Sequence, residues 1–194
     1  MVNFPPYLAS VRWYSQWLHN IISGLPDEKA IKCVNFILRD GREFARTTLS
    51  SKDGRPFMLS MSIQGGSRGL RDMANVESAI ISNHGDWRRV HRGSLEALYG
   101  RFPFYDHIED ALADIYENDS LITLKDFNSS LHRLVSGCLL DNLSNNDFHQ
   151  LRINKIIRER GYEMAAGMNP EISVMDLMML HGQEALYALL ALKI

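Results

Sequence analysis

The chain has 194 residues, of which 45% are hydrophobic and 23% charged, an ordinary balance for a globular protein able to bury a sizeable core. Lys plus Arg number 21 against 23 for Asp plus Glu, a net charge of -2, which argues against a dedicated nucleic-acid binder because such proteins carry a basic face. Arg42, Arg46, Arg55, Arg68 and Arg71 nevertheless lie close enough in sequence to form a local basic pocket. No apolar run approaches the ~20 residues a membrane span needs, and the first residues lack the pattern of a signal peptide, so a cytoplasmic location is the expectation. Cys33 and Cys138 sit far apart in apolar surroundings and read as buried thiols; without CxxC or His/Cys spacing, neither a metal nor a cofactor is expected.

In chain order, Phe4-Pro5-Pro6-Tyr7 is extended, because proline disfavours the helical region for the residue before it. Leu8, Val11, Tyr14, Trp17, Leu18 and Ile21 recur at helical spacing and predict a helix that ends near Ser23, with Gly24 as its stop. Lys29 to Leu38 alternates and reads as a strand that shifts face near Cys33. Glu43 to Ser50 and Phe57 to Ile63 read as two strands joined by the Lys52-Asp53-Gly54 turn, an antiparallel hairpin. Gln64 to Gly69 is a glycine-rich connector without a phosphate-loop pattern, and Val76 to Ser82 is a short extended piece.

The second half is helical. Asp86 is expected to cap a helix from Trp87 to about Tyr99, and Asp106 to open another with Glu109 in a capping-box position. Ser120 is expected to open a longer helix through Leu124, Phe127, Leu131, Leu134 and Cys138. Asn142 to Asp147 reads as loop, Phe148 to Arg160 as helix, and the stretch from Glu163 to Glu171 as irregular. Ser173 is expected to cap a helix over Val174–Leu180, and Gln183 to Leu192 forms the last one. Strands first and helices afterwards define an α+β fold: a small antiparallel β-sheet in the N-terminal half packed against a mainly helical C-terminal half. Residues 1–194 read as one domain, with a helix-plus-sheet part over 1–85 and a helical part over 86–194.

Asp86 to Asp110 is the densest stretch of aromatic and titratable side chains. Its order of Trp87, His91, Ser94, Tyr99, Pro103-Phe104 and Glu109-Asp110 resembles the WbqC-like family of bacterial proteins. Pro5-Pro6-Tyr7-Leu8 is similar to that family's opening motif, Arg46 falls on its Asn-Arg motif, Leu59 to Ile63 on its strand, and Ile172 to Ala185 on its late helix and turn. The chain departs from the pattern at Ala45, Thr47, Ser62, Leu180 and Gln183. The resemblance implies a link to surface-polysaccharide gene clusters and transfer of an acyl or aminoacyl group to a sugar. The alternative is a non-catalytic binding or assembly protein of the same pathway.

His91 is the candidate catalytic residue, a general base near neutral pH, with a buried structural histidine as the competing reading. Ser94 shares its helix face, but a same-helix pair spaced by three rarely gives nucleophile-and-base geometry. Arg46 is a candidate anion clamp or a plain surface arginine. Tyr7 is a candidate positioning group or a core residue. Trp87, Ser94 and Tyr99 complete the candidate substrate-binding set, Tyr99 leaning towards the core. The expected partner is a small-molecule or sugar-type substrate, with no nucleic acid and no membrane span; homo-oligomerisation is left open. Convergence of Tyr7, Arg46 and His91 on one pocket favours the enzyme, and alanine at His91 then removes activity while sparing stability; burial and dispersal favour the alternative.

Overall fold

The computed structural model describes residues 2–34, 40–51, 53–141 and 169–192. The architecture is α+β: a two-stranded antiparallel sheet in the N-terminal half lies against a mostly helical C-terminal half. The expected loop over 142–147, the helix over 148–160 and most of the irregular stretch after it lie outside the described residues, as do 35–38 of the first expected strand.

α1 spans Val11–Ile22, with Ser10 accepting from the Trp13 amide as N-cap and Gly24 taking a positive φ of 89° just past its end. It turns Val11, Tyr14, Trp17 and Leu18 of the predicted stripe into the core, joined by Trp13, which the spacing did not include, while Ile21 is only half-buried. The strand expected over Lys29 to Leu38 is corrected by α2, Asp27–Lys32. Pro26 holds an extended φ/ψ immediately before it, Asp27 and Glu28 sit at its positive end and Lys32 at its negative end, and this end chemistry outweighs a short alternation in which only Ala30 is buried. Cys33 is exposed and Cys138 half-buried, so the thiols are less enclosed than expected.

The hairpin is present but shorter. Asp40 accepts from the Arg42 amide and opens a 3-10 turn over Gly41–Phe44 where strand was expected. β1 (Arg46–Ser50) then pairs with β2 (Pro56–Ser60) in the register Arg46↔Ser60 to Ser50↔Pro56. Thr47, Leu49 and Leu59 face inward, whereas Phe57 and Met58 are exposed. The outer edge of β1 is covered: the Ser173 amide donates to the Thr48 carbonyl at 2.8 Å, and the Asp176 carboxylate accepts from the Ser50 amide at 3.2 Å. The Val76 to Ser82 segment is extended only at its end, through single bridges of Ile80 to Thr123 and Ile81 to Ile63.

α3 (Trp87–Tyr99) buries Trp87, His91, Leu95 and Tyr99, one residue per turn. Asp86 does not cap it; its backbone is left-handed at φ 48° and its carboxylate pairs with Arg89 instead. α4 (Asp106–Glu117) begins at Asp106 itself, so the expected capping box is absent, and the early carboxylates act only as charges near the helix N-terminus. α5 (Leu124–Leu140) starts after Thr123, not Ser120: the Thr123 hydroxyl accepts from the Asp126 amide and donates to the Asp126 carboxylate. α6 (Val174–His181) is capped by Ser173 as expected, and a 3-10 turn at Gly182–Glu184 leads to α7 (Ala185–Ala191). One core cluster unites Tyr7, Trp17 and Leu49 from the first half with Tyr116, Phe127, Met178 and Leu189 from the second.

Candidate functional site

Tyr7 reaches the centre of that core from a segment clamped on three sides. Asn128 donates to the carbonyls of Pro5 and Phe44, at 3.2 and 2.9 Å. The Leu8 carbonyl accepts from the hydroxyls of Thr47 and Ser173, both at 2.9 Å, and Leu8 itself sits at a positive φ of 40°, strained backbone for a residue with a branched side chain. Thr47 therefore holds the residue next to Tyr7.

The Tyr7 hydroxyl lies 2.8 Å from Nδ1 of His91, and Nε2 of His91 lies 3.1 Å from the Ser60 carbonyl. A carbonyl only accepts, so Nε2 carries the hydrogen and Nδ1 accepts from Tyr7. Having given its hydrogen to His91, the Tyr7 oxygen accepts from the hydroxyl of Tyr116, to which it is also bonded. The result is a directed chain from Tyr116 to Tyr7 to His91 to Ser60. It is enclosed by Trp87, edge-on to His91 at 5.0 Å, and by Phe127. Burial pushes His91 down to about 4, with the Ser60 carbonyl pulling the other way, so the imidazole is neutral at ordinary pH. Burial likewise raises both phenols.

The other candidates are placed as follows. Arg46 is half-buried at the start of β1, directly across from Ser60, and its charge assists Arg42, whose hydrogen bonds do most to hold Asp40 at about 2. Among the described residues it makes no hydrogen bond to Tyr7 or His91. Trp87 packs on His91, Tyr116 and Phe127 and donates its indole N–H to the Ser82 carbonyl at 2.8 Å. Ser94 turns its hydroxyl back to the Val90 carbonyl of its own helix, 2.8 Å away. Tyr99 is buried near Asp176, whose carboxyl burial pushes up to about 6, and the Tyr99 hydroxyl makes no hydrogen bond among the described residues. Tyr7 and His91 thus meet, Trp87 packs around them, and Arg46, Ser94 and Tyr99 stand apart from the chain.

Three participants were not singled out from the sequence. Tyr116 was legible only as an apolar member of its helix; nothing in the spacing marks its hydroxyl. Asp176 carries no mark of its own beyond its place in the Ile172 to Ala185 stretch. The third is a second pair built like the first: the Tyr14 hydroxyl lies 3.1 Å from Nδ1 of His132, whose Nε2 lies 3.2 Å from an Asp27 oxygen.

The open face adjoining this core is a cleft of about 560 Å³ between α3 and α4. Tyr116 lines it together with Arg88, Arg92, Glu96, Tyr105 and Glu109; none of Tyr7, Arg46, Trp87, His91, Ser94 or Tyr99 does. Arg88 is caught in its wall, donating to the carbonyls of Tyr116 and Leu121 at 3.0 and 3.1 Å with its guanidinium 5.0 Å from the Trp87 ring centre. Among the described residues no three His, Cys, Asp or Glu side chains form a group that could hold a metal ion, and no helix is long and apolar enough to cross a membrane.

These features define an α+β protein with a buried Tyr-Tyr-His chain backed onto a polar cleft. The chain belongs to the WbqC-like protein family, whose model matches residues 31–154. That span takes in the hairpin, His91 and the cleft, and leaves Tyr7 and the Ile172–Ala185 stretch outside it. No curated protein and no solved structure matches the chain.

The two perturbed groups make stability depend on pH in opposite senses. His91 folds as the neutral base, with a folded pKa of about 4 against 6.5 unfolded. Its contribution, ~3 kcal/mol at full size, is complete above the unfolded value and is lost as pH falls towards the folded one. Asp176, at about 6 against 3.8, folds more readily protonated; its contribution is complete below 3.8 and is lost as pH rises through about 6. The two partly cancel in the native chain. Asp176→Asn keeps an oxygen for the Ser50 amide and removes the buried charge. The variant is expected to be more stable than the native chain at neutral pH and to lose stability more steeply on acidification, as read by urea midpoints across this range. Parallel curves for the two proteins would show that Asp176 carries no such penalty.

Proposed function

We propose that the chain is a cytoplasmic group transferase that moves an acyl or aminoacyl group onto a carbohydrate intermediate of bacterial surface-polysaccharide production, the reaction and pathway implied by the family resemblance. The observation that supports this reading is the meeting of Tyr7 and His91, 84 residues apart in sequence, on Tyr116, which is itself fully buried and lies directly behind the wall of the cleft. Attack of a sugar hydroxyl or amine on an acyl carbon releases a proton. Along the buried chain each phenol can pass its hydrogen inward and take another from outside, so that the proton comes to rest on Nδ1 of His91 and returns by the same route to the leaving group. His91 is then a base acting through two phenols. Arg46, half-exposed on the neighbouring strand, is assigned to the anionic part of a donor. No resident cofactor is assigned.

A specific observation favours the second reading, a non-catalytic binding or assembly protein of the same pathway. Both nitrogens of His91 are engaged and the ring is buried and neutral. The similar pair Tyr14 and His132 lines no part of the cleft, so a Tyr-His bond in this fold also serves structure alone.

The deciding variant is Tyr116→Phe, which keeps the ring and cuts the chain at its outer end. Nucleotide sugars incubated with acyl and aminoacyl donors would be followed by intact mass. The transferase reading expects a mass gain with the native chain and a loss of turnover on the order of 100-fold in the variant, with a stability cost of only about 1 kcal/mol. Sugar binding without turnover of any donor pair, unchanged by Tyr116→Phe, would establish the binding protein instead.

A further inference from the structure

The cleft between α3 and α4 has a pattern of engaged and unengaged groups. Its arginines are engaged except at one atom: Arg89 pairs with Asp86, Arg92 with Glu117, and Arg88 is held by two carbonyls with only its Nε left without a partner among the described residues. Three of its carboxylates, Glu96, Glu109 and Asp119, have no ion-pair partner among the described residues. Tyr105 lines the same space, is only 6% exposed, and its hydroxyl makes no hydrogen bond to any described residue. A hydroxyl that ends a largely enclosed ring, has no protein partner and faces a cleft is free to meet a ligand. Burial, and after it the charges of Glu109 and Glu96, push that phenol up to about 12 against the opposing pull of Arg92 and so keep it protonated.

The unbalanced charge is negative, so an anionic ligand is disfavoured. A divalent cation is also a poor fit: it draws several oxygens to within ~2.6 Å, and no such group forms among the described residues. Spread carboxylates interleaved with guanidinium donors and a phenol suit a ligand whose own donors and acceptors alternate around a ring. A volume of about 560 Å³ lies within the range of small-molecule sites.

We propose that this cleft binds an amino sugar, a polyhydroxylated ring bearing a primary ammonium group, with Glu96 and Glu109 facing the ammonium and Tyr105 and Arg92 meeting ring hydroxyls. The proposal deepens the carbohydrate reading by naming a ligand class, and its test is a binding measurement that needs no transfer reaction.

Calorimetric titration of the full chain with glucosamine, glucose and N-acetylglucosamine separates the ammonium from the ring. Glucosamine is expected to bind at least about tenfold more tightly than either neutral sugar, a preference lost in Glu96→Gln/Glu109→Gln, while Tyr105→Phe weakens all three sugars. Glu96 is exposed and Glu109 half-exposed, so the double variant is expected to melt with the native chain. Equal affinity for glucosamine and glucose, a preference that survives the double variant, or no saturable binding of glucosamine would each overturn the assignment. Absence of transfer with intact glucosamine binding would count against the transferase alone.

Discussion

Alanine at His91 is expected to cost about 3 kcal/mol and to lower the unfolding midpoint by roughly 6–12 °C. The side chain is 3% exposed, and its removal leaves a cavity walled by Trp87, Tyr7 and Tyr116. It also strips the Tyr7 hydroxyl of its acceptor in a place water does not reach, and an orphaned buried polar group loses its full desolvation cost. Reading the sequence alone, a catalytic His91 should tolerate alanine without loss of stability; burial reverses that expectation for either role. His91→Gln isolates the polar part, because its amide N–H can still reach the Ser60 carbonyl. Urea denaturation should rank native above Gln above Ala. Equal stability of Ala and the native chain would mean that the pocket collapses or admits water, and the buried chain would then hold nothing together.

Gly182→Ala is expected to be at least as damaging, on the order of 3 kcal/mol. Gly182 adopts φ 55° and ψ -131°, a conformation open to glycine and closed to side chains. A β-carbon there would also fall 2.5 Å from the ring of Phe104, which is anchored by its amide to the Met179 carbonyl. Gly24→Ala is the internal control. It too has a positive φ, of 89°, but nothing stands within 4 Å of its missing β-carbon, so only the backbone strain of about 1 kcal/mol is incurred. The difference between the two melting points measures the Phe104 contact; if both variants lose the same amount, Phe104 swings aside and the contact carries no weight.

These contacts bear on what the sequence made legible. The hairpin could be read because Asp53-Gly54 and the flanking β-formers agree, and α1, α3 and α5 because their apolar spacing is long and regular. α2 was missed because six residues hold too few apolar positions to show a period, and the turn that Asp40-Gly41 signals runs on to Phe44, into the expected strand, because the Asp40 side chain holds the Arg42 amide. For the site, the chemistry-bearing residue types were visible but their partners were not. Tyr7 and His91 meet, yet so do Tyr99 with Asp176 and Phe104 with Gly182, each joining one recognisable stretch to another. Several motif residues are thus the seams between segments distant in sequence. Tyr116 had no signal at all beyond its apolar spacing, since whether a core tyrosine points its hydroxyl at a neighbour is decided by packing.

One consequence concerns how the chain comes to be folded at all. Leu8, Ser10 and Val11 are bonded to Ser173 and Ile172, and the Leu8 carbonyl waits on a hydroxyl 165 residues away. During synthesis the Tyr7 segment emerges long before Ser173, one of the two hydroxyls that fix its backbone. Its clamp is therefore a late, non-local event, of the kind that slows folding because a large loop must close before any contact rewards it. The helices of the middle of the chain can form early from local contacts, while the phenol that completes the buried network is seated only when both distant segments arrive together.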